Sequence, residues 1–420
     1  MSKDRKISRL DFLKLLGVGT GILIFNIFPL PRIFRSVFGQ SDLNLSPQTE
    51  NNNTTSTVAT QTITTTTFKV GINNDTFGGG DTYGMDMGYN QFSGQKLYDE
   101  PLSQPLSIDL SKPDPAPPVP YITKNPQAIE VLLQQIQGLD VLRMFLFEEN
   151  EGLRFDGQNN NRLIGIDEEL VKNVKKVLDT AHKYNVQVYF SLIDSIPIMA
   201  DLPEDLTDNR LQSYVAWRTA QRNNIKSIID DPDNFLNVVL VPLLEQIKDN
   251  PGLFGLELIN EPNTFFNEDP TKIISNNEVK NFVTVCANAI NKMAPNVMVS
   301  ISSDDNDVGQ EYAVSTPISF VDYHAYYDPN EKLLKYDPGK WNNKKVFLGE
   351  VGINHRNDTT PETEDEKTKE VSGIEKIVQE ANNNGFMGAL VYGIFDPNFV
   401  APEHQQVILS WLKEFKKSIS

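Results

Sequence analysis

From Phe68 to the C-terminus, short apolar runs alternate with longer stretches whose apolar residues recur at helical spacing. The short runs, at 68–73, 141–147, 186–193, 253–259, 297–302, 319–324, 345–348 and 387–392, read as strands. Asp167 can cap the helix after the second run, with Glu168 and Glu169 in its first turn, where the helix dipole favours acids. That helix sets Leu170, Val174, Val177 and Ala181 on one face. The last helix begins near Pro402, a good first-turn residue, and its buried side is expected to carry Ile408, Trp411 or Leu412, Phe415 and Ile419.

Eight strand–helix alternations predict an α/β fold, a (β/α)8 TIM barrel spanning residues 68–420. The competing architecture is an open doubly wound sheet. It would need a glycine-rich phosphate loop and a helix after the first strand, and Gly78-Gly79-Gly80 has neither the spacing nor the helix. Residues 77–120, rich in Gly, Tyr, Asp and Pro, form the largest insertion, expected to wall one end of a cleft above the strands.

The first 67 residues follow another pattern. Lys3, Arg5, Lys6 and Arg9 precede an apolar run over 15–30, the layout of an export signal or membrane anchor over residues 1–39. Ser8-Arg9-Leu10-Asp11-Phe12-Leu13-Lys14 resembles a twin-arginine export signal, with Leu10 where the second arginine would stand. Residues 40–67, dominated by Asn, Thr and Ser, have little to bury and read as a disordered stalk. The expected location is therefore extracellular or at the cell surface, with a tether if the segment is retained.

Charge narrows the partners. A formal net charge of -18 repels polyanions, which argues against nucleic acid and suits a neutral polymer such as a polysaccharide. The single cysteine, Cys286, reads as a small core residue and rules out an intramolecular disulfide. The four histidines, His182, His324, His355 and His404, show no metal-ligand spacing on a shared element, so no metal or cofactor is expected. A monomer is expected.

In a barrel of this kind the C-terminal ends of the strands converge on one face, so polar residues there are candidates for chemistry. The fourth run ends in Asn260-Glu261-Pro262, the sixth in His324-Ala325-Tyr326 and the seventh in Gly349-Glu350-Val351-Gly352. Arg143 lies inside the second, apolar run, where an unpaired charge would be costly; a structural ion pair is its plain reading. Asn260 as a turn cap and His324 as a core histidine are the plain readings of those two.

These motifs, in this order and placement, resemble the clan of (β/α)8 glycoside hydrolases that includes family 5, the cellulase and mannanase type. The resemblance implies that Glu261 is an acid/base and Glu350 a nucleophile in retaining hydrolysis of a β-linked glycan. It further implies substrate-binding or supporting roles for Asn260 at a sugar 2-hydroxyl, Arg143 and Tyr326 on the nucleophile, His324 in an adjacent subsite and Tyr392 as a sugar platform. Tyr392 stands where the family usually has tryptophan, and 190–195 lacks the family's histidine, leaving Asp194 as a weak candidate. Trp341 is a further candidate for the cleft, whereas Trp217 and Trp411 read as helix core. The stretch 142–157 resembles the mannanase and cellulase branch, pointing to mannan or cellulose. A carbohydrate-binding protein on an inactive barrel and a transglycosylase acting on a surface glycan remain open alternatives.

Overall fold

A computed structural model describes residues 67–73, 128–147, 150, 152–156, 162–195, 222–268, 273–327, 336–353, 364–395, 400 and 402–420. The expectations for the export segment, the stalk, the insertion at 77–120, Trp217 and His355 lie outside the described residues.

Eleven strands are described: β1 (Lys69–Asn73), β2 (Val141–Phe145), β3 (Leu153–Phe155), β4 (Leu163–Ile166), β5 (Gln187–Asp194), β6 (Leu253–Asn260), β7 (Met298–Ser300), β8 (Ser302–Ser303), β9 (Phe320–Tyr327), β10 (Lys345–Ile353) and β11 (Gly388–Tyr392). The helices are α1 (Ala128–Gln135), α2 (Glu168–Lys183), α3 (222–230), α4 (232–247, with one π-turn), α5 (Asn276–Met293), α6 (Asn306–Ser315), α7 (Glu364–Asn383) and α8 (Pro402–Ile419).

Nine strands form one parallel sheet in the order β7-β6-β5-β2-β1-β11-β10-β9-β8. Its two ends are consecutive pieces of a single strand, broken at Ile301: β7 pairs with β6, and β8 pairs with β9. Backbone bonds from Ser319 to Val299 (2.7 Å) and from Asp322 to Ile301 (3.1 Å) seal the seam. The sheet therefore closes into an eight-position barrel. The α/β barrel expected from the alternation is the observed fold.

A strand in such a ring is buried on both sides, which explains why the runs are almost wholly apolar. Leu142, Met144, Val188, Val346, Leu348 and Val351 face the helices, where Leu170, Val174, Val177 and Ala181 of α2 pack fully buried. Inside the ring, near the strand starts, Tyr189, Phe254, Phe320 and Phe347 plug the barrel with ring centroids 5.7 to 6.2 Å apart. This apolar plug is the floor on which the polar upper half of the barrel rests.

Three details depart from the sequence reading. β9 and β10 run to Tyr327 and Ile353, beyond the expected ends. An antiparallel hairpin, β3 with β4, rises after β2. Trp341 does not line a cleft; it is 3% exposed, edge-on to Tyr323 (6.3 Å) and close to Gly309 in the outer core. Cys286 is buried in α5, and desolvation pushes its thiol well above its ordinary pKa, as a core role requires. Among the described residues no helix is long and apolar enough to cross a membrane.

Candidate active site

Successive side chains of a strand point to opposite faces, so Phe320, Asp322, His324 and Tyr326 of β9 share the inner face of the barrel. They climb from the aromatic floor to the open end. β10 would not deliver Glu350 to the same place by alternation, because Phe347 points inward and Glu350 is three positions on. The register against β9 shifts between Phe347 and Glu350, a bulge that reverses the phase and sets Glu350 beside His324. The glycine before it is sterically required: a Cβ on Gly349 would fall 2.1 Å from both carboxylate oxygens of Asp322, one of which accepts the Gly349 amide (2.7 Å). A Cβ on Gly352 would press on the Tyr326 ring at 3.1 Å.

Glu261 follows β6 with φ of 43°, in the left-handed region that costs a side-chain-bearing residue about 1–3 kcal/mol. The backbone is pinned there from both sides. Its amide donates to Ser302 Oγ (2.8 Å), and its carbonyl accepts from Ser195 Oγ (2.8 Å), Thr264 Oγ1 (3.0 Å) and the Thr264 amide (3.1 Å). Strain held this firmly marks a position where side-chain direction matters more than stability.

Arg143 is fully buried. Its Nε donates to Glu257 Oε2 (2.8 Å), Nη1 to Glu350 Oε1 (2.9 Å) and Nη2 to Asn260 Oδ1 (2.8 Å). Asp322 Oδ2 lies 3.7 Å from Nε. Burial alone would lower the guanidinium's pKa; Glu257, Glu350 and Asp322 raise it well above its ordinary value instead. Asn260 donates in turn to Asp194 Oδ1 (2.8 Å) and accepts from Ser302 Oγ (3.3 Å). Asp194, a weak candidate from sequence, is thus built into the network.

The two glutamates have different surroundings. Glu350 is held between the Arg143 cation and the Tyr326 hydroxyl, which donates to Oε2 at 2.6 Å. Both contacts favour an ionised carboxylate. Glu261 Oε1 instead meets His324 Nδ1 at 2.5 Å. One carboxylate oxygen of each glutamate and a His324 nitrogen all lie within 4.8 Å of one another.

Below them, Asp322 accepts from Tyr189 Oη (2.9 Å), whose own close partner is Ser300 Oγ. Burial lifts the Asp322 carboxyl to about 7, against opposing pulls from His324, Arg143 and Tyr189. Burial also pushes the Tyr189 hydroxyl far above its ordinary value, so it acts as a donor. Among the described residues, five buried carboxyl groups (Asp194, Glu257, Glu261, Asp322 and Glu350) gather around the Arg143 guanidinium and the His324 imidazole.

Two trios have ligand atoms close enough for a metal ion: Glu257, Asp322 and His324, and Glu261, His324 and Glu350. The Arg143 guanidinium already contacts Glu257 and Glu350 and lies beside Asp322, filling the role a cation would take. Tyr392 stands edge-on to Tyr326 (6.0 Å) and is 1% exposed, so its ring backs the tyrosine that donates to Glu350 and is not itself laid open as a platform. All seven residues singled out from sequence thus gather at this end of the barrel. Glu257, Asp322 and Tyr189 were not foreseen; inside apolar runs they look like ordinary strand residues.

The (β/α)8 fold recurs in a solved β-1,4-D-mannanase from Cryptopygus antarcticus, at 16% identity and a TM-score of 0.50, over 83% of this chain and 90% of that one. The likeness is one of fold. A β-mannanase from the blue mussel Mytilus edulis aligns at 21% identity and a TM-score of 0.47, over 70% of this chain and 86% of its own. A family 5 mannosidase from Rhizomucor miehei aligns at 14% identity and 0.43, over 84% and 95%. No protein-family model and no curated protein sequence matches the chain.

Proposed function

We propose that this chain is a retaining glycoside hydrolase acting on a β-linked glycan, with β-1,4-mannan the first substrate to test. One observation carries the reading: oxygens of Glu261 and Glu350 lie within 4.8 Å of each other at the open end of the barrel. Retaining enzymes hold their two carboxyl groups about 5–5.5 Å apart, whereas inverting ones need about 6.5–9.5 Å to admit a water. Glu350, kept ionised by Arg143 and Tyr326, attacks the anomeric carbon as the glycosidic bond breaks. Glu261, whose Oε1 meets the His324 imidazole, gives its proton to the departing oxygen. Water then cleaves the glycosyl–Glu350 ester, with Glu261 taking the proton back.

Asn260 has a second amide hydrogen beyond the one on Asp194, suited to a sugar 2-hydroxyl. His324 meets Glu261 through Nδ1, which gives it a role on that acid beside the subsite contact the resemblance implies. Choice of mannan follows the Cryptopygus enzyme of the same fold. An exported or tethered enzyme would meet such a polymer outside the cell, which suits the basic-then-apolar segment and the stalk ahead of the barrel.

The test is release of reducing ends from β-mannan, with cellulose in parallel, by the full chain and by Glu350→Gln and Glu261→Gln. Wild type should act on at least one polymer, and each variant should lose about 10³-fold or more in kcat. Sugar binding that is identical in all three proteins, with no turnover by wild type, would instead mark a binding protein on an inactive barrel.

A further inference from the structure

His324 is flanked by acids on both ring nitrogens. Nδ1 meets Glu261 at 2.5 Å, and Nε2 faces Asp322 Oδ1 at 3.6 Å. The second distance exceeds a direct hydrogen bond, yet Asp322 and His324 are both buried, so a carboxylate's field on Nε2 is little screened. Nε2 makes no hydrogen bond among the described residues, so no closer partner competes for it.

Asp322 is itself fixed in place. The Gly349 amide and the Tyr189 hydroxyl hold one carboxylate oxygen each, and a side chain at position 349 would displace it. Its place two residues before His324 on the same strand puts both on one face of β9. None of the steps proposed above uses it.

We propose that Asp322 is a positioning residue that keeps a proton on His324 Nε2, so that Nδ1 can only accept a hydrogen bond and the shared proton stays with Glu261. The inference rests on Glu261 being the acid of the proposed reaction. Its logic is one of tautomers. An Nδ1–H would donate to Glu261 and favour the carboxylate, a poor acid. A bare Nδ1 is matched only when Glu261 carries the hydrogen. The opposing pull is from Glu350 Oε2, 3.6 Å from Nδ1, and the Arg143 cation and the Tyr326 hydroxyl already satisfy that carboxylate.

Two readouts test this on the full chain. Nitrogen-15 NMR of histidine-labelled protein follows four imidazoles, with His324 assigned by its loss in His324→Gln. At about pH 8, above the value to which burial lifts Asp322, His324 should be protonated on Nε2, and Asp322→Asn should populate the Nδ1–H form. The second readout compares kcat/KM for phenyl and dinitrophenyl β-mannobiosides, which reports only the step that expels the phenol. Asp322→Asn should lower the phenyl value about tenfold or more, since that leaving group needs a proton, and leave the dinitrophenyl value within about twofold.

An Nδ1–H tautomer in wild type, or equal losses on both substrates, would overturn the proposal. Should Asp322→Asn fail to fold, the wild-type tautomer still decides. Should wild type cleave neither substrate, the glycosidase reading suffers, and the NMR result stands apart from it.

Discussion

At the scale of single residues, Arg143 is the side chain on which the site depends most. One planar guanidinium reaches Glu257, Asn260 and Glu350 together, a geometry a lysine ammonium cannot copy. Arg143→Met should cost about 3–5 kcal/mol in urea unfolding, because it leaves buried carboxylates without their cation. The deficit should narrow in acid, since protonation removes the charges left exposed to one another. Activity should fall about 100-fold or more even where the variant remains folded. Glu261, Glu350 and Arg143 were legible in the sequence because acids at strand ends and a charge inside an apolar run are conspicuous. Asp322 was less so, yet the spacing Phe320, Asp322, His324, Tyr326 is a period of two with its polar members together, and a strand read for both faces would have found it.

At the scale of elements, local breaks in regular structure position the chemistry. The bulge in β10 turns Glu350 inward, and no alternation rule foretells a bulge; only the motif around Glu350 pointed to it. The left-handed backbone at Glu261 and the break at Ile301 between β7 and β8 are likewise set by tertiary contacts, not by local propensity. Gly349→Ala tests the bulge. Its new methyl meets Asp322 carboxylate oxygens at 2.1 Å, and the variant should lose about 1–3 kcal/mol in thermal unfolding together with activity. Ser275→Ala, which removes the capping box at the start of α5, should cost about 0.5–2 kcal/mol with kcat unchanged. Equal activity losses in the two would mean that the site responds to general stability alone.

At the scale of the molecule, the ring of strands converts residues far apart in sequence into neighbours: Arg143, Asp194, Asn260, Asp322 and Glu350 come from β2, β5, β6, β9 and β10. The barrel was legible because doubly buried strands and amphipathic helices have distinct periods. The hairpin at β3 and β4 was not, its strands being only three and four residues long. The central claim is that Glu350 attacks carbon. Incubating the protein with a 2-deoxy-2-fluoro-β-mannosyl fluoride and mapping the adduct by mass spectrometry tests it most directly. The account predicts one fluorosugar on the peptide carrying Glu350, absent from Glu350→Gln. An adduct on Glu261 or elsewhere, or inversion of the anomeric centre in the mannan products, would contradict it.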